Sequence, residues 1–174
     1  MKIKLLALTI FLILPFIFPP FLFSECVNGD CHNGKGTYIS PDGTSFSGLW
    51  ENGYPNGQGT LINPNGEKFI GTFKNGKING SGTHILYNGS KYVGEFKNGE
   101  KDGRGIFTSS DGRKYVGQFK NGRPNGQGTF IFSNGDKHIG MFKDGKPNGP
   151  GTFIDSNGEE TFGEWQNGEL VLKQ

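Results

Sequence analysis

From about residue 33 onward, apolar and polar positions alternate in short runs, and no stretch carries helical spacing. Lys91-Tyr92-Val93-Gly94-Glu95-Phe96 is of strand length and rich in aromatic and β-branched residues. So is Arg104-Gly105-Ile106-Phe107-Thr108. A period of two places Tyr92, Gly94 and Phe96 on one face. Lys91, Val93, Glu95 and Lys97 take the other. The same count groups Gly103, Gly105 and Phe107 in a second strand. A glycine between two aromatics leaves a shallow hole, and the pattern predicts that a ring from a neighbouring strand lies over it.

These runs recur at a fixed interval. Trp50, Phe73, Phe96, Phe119, Phe142 and Trp165 are each 23 residues apart. So are Phe46, Phe69, Tyr92, Tyr115, His138 and Thr161, a series that fades toward the C-terminus. The first set is the expected aromatic seam of a stacked array. Internal repetition at such a period is the signature of a repeat architecture, in which each unit is stable only against its neighbours.

Composition then takes on a different meaning. Glycine makes up 31 of the 174 residues, and with few apolar side chains this would ordinarily suggest disorder. All but Gly29 fall at five phases of the same 23-residue repeat. In three phases an Asn or Asp precedes the glycine, as in Asn75-Gly76, Asn79-Gly80 and Asn88-Gly89. Such pairs supply the positive φ values of type I′ turns. The expected fold is all-β: an elongated, single antiparallel sheet, a meander of tandem β-hairpins. Residues 25–33 read as a degenerate half-repeat, 34–168 as six full copies, and 169–174 as a C-terminal tail.

The pattern Y/F-x-G-x-F/W-x-N-G-x-x-N/D-G-x-G-T, seen at Tyr92-Val93-Gly94-Glu95-Phe96-Lys97-Asn98-Gly99 and its equivalents, resembles the MORN (membrane occupation and recognition nexus) repeat family. The resemblance implies an elongated, twisted sheet of successive hairpins, used in dimers and scaffolds, with membrane or phosphoinositide binding also proposed for the family. Phe or Trp at many aromatic positions, and His138 and Thr161 in the late copies, depart from the pattern.

The N-terminus has another character. Lys2 and Lys4 precede an unbroken uncharged stretch from Leu5 to Phe23, the arrangement of a secretory signal, so residues 1–24 are expected to be a signal peptide. Two other fates stay open: a retained membrane anchor, against which Pro15, Pro19 and Pro20 argue, and lipidation at Cys26, which Phe23-Ser24-Glu25 fits poorly. The expected location is the periplasm, the cell surface or the medium. Those two lysines also account for the whole formal charge of +2, so the remainder is neutral. A nucleic-acid partner is not expected.

Cys26 and Cys31 enclose Val27-Asn28-Gly29-Asp30, and in an oxidising compartment a disulfide is expected to cap the first sheet edge. His32, His84 and His138 occupy three different phases, do not converge on a metal site, and read as exposed or edge residues. No nucleophile elbow, zinc-protease or phosphate-loop motif is present. The expectation is no enzyme, no catalytic residue, no cofactor, no metal and no small-molecule substrate. Lys68, Lys91, Lys114 and Lys137 form one ladder, and Lys74, Lys97, Lys120 and Lys143 another, both opposite the seam. They serve solubility, or offer a basic face to anionic headgroups. The leading expectation is an exported scaffold for a protein partner or homodimer, with membrane lipid binding as the alternative.

Overall fold

The computed structural model describes residues 25–173, so the expected signal segment lies outside the described residues. Strands follow one another in chain order. They are β1 Glu25–Gly29, β2 Gly34–Ile39, β3 Ser45–Glu51, β4 Tyr54–Ile62, β5 Lys68–Lys74, β6 Lys77–Ile85 and β7 Lys91–Lys97. They continue as β8 Glu100–Thr108, β9 Lys114–Lys120, β10 Arg123–Ile131, β11 Lys137–Lys143, β12 Lys146–Ile154, β13 Glu160–Gln166 and β14 Glu169–Lys173. All 14 lie in one open sheet in sequence order, each pair antiparallel, which is the expected meander. The residues read as a tail form β14.

Three kinds of Asn-Gly or Asp-Gly site do three different jobs. In Asn75-Gly76 both residues have positive φ, 48° and 77°, which is the type I′ turn. In Asn88-Gly89 only the glycine does, at 83°. There the chain closes a longer loop, in which Leu86 N–H donates to Ser90 O at 2.8 Å and Gly89 N–H to Leu86 O at 3.0 Å. Asn79-Gly80 is not a turn at all, since it lies inside β6. The type I′ expectation therefore holds for one of the three phases.

The in-strand site is a bulge. On β8 the register slips between the pairs Gly94↔Gly105 and Phe96↔Lys101, where Gly103 has φ 102°. A side chain at Gly103 would meet Glu95 on the lysine side of the sheet. Gly103 consequently does not share the face of Gly105 and Phe107, because the bulge breaks simple alternation.

Turns also tie each repeat to the one before it. Gly99 N–H donates to Ile78 O at 2.8 Å and Gly122 N–H to Lys101 O at 2.9 Å, with equivalent bonds along the array. Paired glycines line up as well: Gly82↔Gly94↔Gly105↔Gly117 belong to an unbroken row from Gly36 in β2 to Gly163 in β13.

The N-terminal edge is closed covalently. The sulfurs of Cys26 and Cys31 are 2.04 Å apart, with Cα atoms 5.9 Å apart, and β1 is exposed throughout. A cross-link around so short a loop constrains the unfolded chain by about 2 kcal/mol. Cys26→Ser with Cys31→Ser is therefore expected to raise amide exchange in β1 while leaving β5–β12 protected. Loss of protection across the whole array would show that the clip supports more than the edge.

Candidate interaction faces

One face of the sheet holds the core. Phe73, Phe96, Phe119 and Phe142 of the expected seam are buried, whereas Trp50 and Trp165 at its ends are only half-buried. Each indole still finds an acceptor: Trp50 Nε1 donates to Gly36 O and Trp165 Nε1 to Gly151 O, both at 3.1 Å. The seam is double. Phe46, Phe69, Tyr92 and Tyr115 are buried as well, and each packs edge-on against two rings of the first series. Tyr92 lies 5.0 Å from Phe96 in its own strand and 4.9 Å from Phe119 in the next repeat, and Tyr115 repeats this at 5.1 and 5.0 Å. Edge-to-face packing at these distances is favourable for aromatic quadrupoles. The result is a zigzag of rings joining each repeat to the next.

The glycine row is the floor under those rings. A Cβ at Gly94 would lie 2.6 Å from the Tyr92 hydroxyl, 2.6 Å from Arg104 O and 2.6 Å from Gly105 Cα. The ring over Gly94 is thus that of Tyr92 itself, two residues earlier in the same strand, and it also covers Gly105 on the next strand. This corrects the expectation of a ring from a neighbouring strand. The Tyr92 and Tyr115 hydroxyls donate to Glu95 O and Gln118 O at 3.0 and 3.1 Å. Burial pushes both phenols up to about 12.

His138 is the fifth member of this inner series and only 1% exposed. Its ring stacks edge-on 4.7 Å from Trp165 and 5.4 Å from Phe142, and neither ring nitrogen has a hydrogen-bond partner. The sequence-based reading of an exposed or edge histidine is wrong here, because the repeat phase dictates an inward position. Burial lowers its pKa. His84 is half-buried and meets Glu67 at 2.6 Å, while His32 is exposed. The three histidines do not come together, and no metal-binding cluster occurs among the described residues.

The opposite face carries both lysine ladders. Lys74, Lys97, Lys120 and Lys143 are exposed, as are Lys91 and Lys137, with Lys68 and Lys114 half-buried. Exposed Glu95 and Glu100 dilute their charge. Between the ladders runs an apolar strip that periodicity did not single out. Val93↔Ile106↔Val116 are direct cross-strand neighbours at 41%, 40% and 38% exposure, and Ile70, Ile139 and Phe162 extend the strip. Loop carboxylates complete the polar surface. Asp30, for example, accepts backbone bonds from Asn33 and His32, which hold its carboxyl below the usual range.

This geometry accords with the comparisons. Residues 32–45, 46–68, 69–91, 92–112, 115–137 and 138–160 each match the MORN repeat model, together well over half of the chain. No curated protein matches the sequence. Among solved structures, the chain is similar to the SAS-4 (dCPAP) TCP domain of Drosophila melanogaster, solved in complex with a proline-rich motif of Ana2 (dSTIL). That similarity has a TM-score of 0.47 at 12% identity, over 87% of this chain and 90% of the other. Six consecutive matched segments, a hairpin meander and glycines beneath aromatic rings make the chain a member of the MORN repeat family.

Proposed function

We propose that this protein is an exported, non-enzymatic scaffold of the cell envelope whose sheet presents a binding surface to a discrete protein partner or to a second copy. The observation that carries this reading is the open face. Val93, Ile106 and Val116 form a continuous, half-exposed apolar strip on a rigid sheet, bordered by charged ladders. Apolar strips rimmed by polar residues suit protein contacts. Cross-linking in the native host, with light scattering of the purified chain, tests it. A single partner or a dimer at fixed stoichiometry is expected. A monomer that cross-links to nothing would count decisively against the scaffold.

The lysine ladders favour a second reading, direct contact with anionic lipid. A basic residue near a charged bilayer contributes about 1 kcal/mol. Changing Lys91, Lys97, Lys114 and Lys120 together to Glu should then lower sedimentation with anionic vesicles at least about tenfold, and added salt should do the same. Vesicle binding that ignores both the substitutions and the salt would eliminate the lipid reading. Export is tested by intact mass from the native host. That mass separates cleavage after Ser24, lipidation at Cys26 and a retained segment.

A further inference from the structure

Lys101 departs from its repeat. Within residues 34–168 the positions at multiples of 23 from it are Pro55, Ile78, Pro124 and Pro147, and Lys101 is the only charged residue of the set. Pairing with Phe96 puts it on the aromatic face, where it is half-buried. Its ammonium lies 4.7 Å from the centre of the Phe107 ring and 5.3 Å from that of Tyr92. Two ion pairs occur among the described residues, His84–Glu67 and Arg113–Asp111, and neither involves Lys101. Ring faces compensate a desolvated cation only in part. Burial accordingly holds this lysine below its ordinary pKa.

Next to Lys101 the aromatic face opens into a groove of about 310 Å³, lined by Phe107, Tyr115, Phe119, Pro124 and Phe130, with Arg113 and Lys114 also contributing. Arg113 is already held by Asp111 at 2.7 Å, which leaves Lys101 and Lys114 without an ion pair among the described residues, and of the two it is Lys101 that lies over the rings. We infer that this groove binds a linear protein segment, with an acidic side chain of the segment on Lys101 and its following apolar residues against the aromatic wall. The inference goes beyond the scaffold reading, which rests on the opposite face, and adds a second site on the aromatic side.

A peptide suits the site better than a bilayer. The groove sets two unpaired lysines, Lys101 and Lys114, beside an apolar wall, whereas the rest of the lysine ladders face the other side of the sheet. The apolar stations also recur along the array, first Pro124 with Phe130 and then Pro147 with Phe153. Two strands at about 4.8 Å separate successive stations by about 10 Å, the length of one polyproline II turn, in which three residues at about 3.1 Å each bring the side chain back to the same side. The fitting segment therefore has an acid followed by apolar residues at every third position.

Fluorescence anisotropy on the purified full chain tests this, using a labelled peptide with one glutamate and phenylalanines three and six residues later. A second peptide has lysine in place of the glutamate. The first should bind and the second should not. Lys101→Ile, which installs the residue already used at Ile78 and so preserves the fold, should weaken the glutamate peptide about tenfold, the scale of one charge-assisted contact. Lys101→Glu should reverse the preference and favour the lysine peptide. Equal binding of both peptides, indifference to Lys101→Ile, or no binding of the glutamate peptide would each overturn the groove. Vesicle binding that requires Lys101 would overturn it in favour of lipid.

Discussion

Gly94→Val is expected to unfold the central repeats, at a cost of about 4 kcal/mol, among the larger losses known for single substitutions. A Cβ at this position already meets Arg104 O, Gly105 Cα and the Tyr92 hydroxyl, each at 2.6 Å. Two of those three atoms are backbone and cannot swing aside. Tyr92 cannot leave either, since it is fully buried and packs on Phe96 and Phe119. Valine adds two methyls beyond that Cβ. The strands must separate or the ring must be expelled, and either change interrupts the ladder that couples repeats three to five. Urea melting followed by circular dichroism measures the loss. Gly112→Asn is the control: a Cβ there meets nothing within 4 Å, so only the positive φ of 89° is strained, and asparagine tolerates that region at about 1 kcal/mol or less. Equal melting of the two variants would mean that the glycine row is not the floor of the core.

That row shows how far the sequence carries. Spacing alone sets Gly94 against its neighbours and places Phe96 inward, because a period of two and a repeat of 23 together fix face and register. It does not show that the ring over Gly94 belongs to Tyr92, since side-chain lean along a strand leaves no trace in periodicity. Nor does it separate Asn75-Gly76 from Asn79-Gly80, although one closes a turn and the other bulges a strand. The composition of the two pairs is the same, and pairing with flanking strands decides between them. His138, read as an exposed or edge residue, and Lys101, which the sequence analysis did not single out, fall short for another reason. Both sit in phases whose other members are mostly aromatic in one case and mostly proline or isoleucine in the other, so the repeat itself marks them as inward. Residue-type preference hid this: an isolated histidine or lysine is ordinarily at the surface, and here phase overrides type.

His138→Phe should raise stability by about 3 kcal/mol, because it removes two buried, unpartnered nitrogens whose desolvation costs roughly 1–3 kcal/mol each. The site accepts the larger ring, for Phe46 and Phe69 occupy the same phase over their own glycine pairs. His138→Tyr should do as well, by donating to Met141 O as Tyr92 does to Glu95 O. The substitution also removes a pH dependence. Burial holds the folded-state pKa of His138 below the ordinary value of 6.5, so the unfolded chain takes up its proton first as pH falls. The stability tied to neutral His138 is complete above about pH 6.5 and declines below it, by up to about 1.4 kcal/mol per pH unit, until the folded form also protonates. The side chains facing it are Phe130 and Phe153 across the register and the rings of Phe142 and Trp165, none of which carries a charge to offset an imidazolium. Asp30, Asp42, Asp111 and Asp155 have carboxyls lowered from 3.8, and their contribution is lost only at more acid pH. Urea midpoints from pH 7 to pH 5 should therefore fall more steeply for the wild-type chain than for His138→Phe, and the difference between the curves belongs to this residue. Parallel curves, or no gain in stability at pH 7, would mean that the imidazole has found partners in solution and that the aromatic ladder does not close over it.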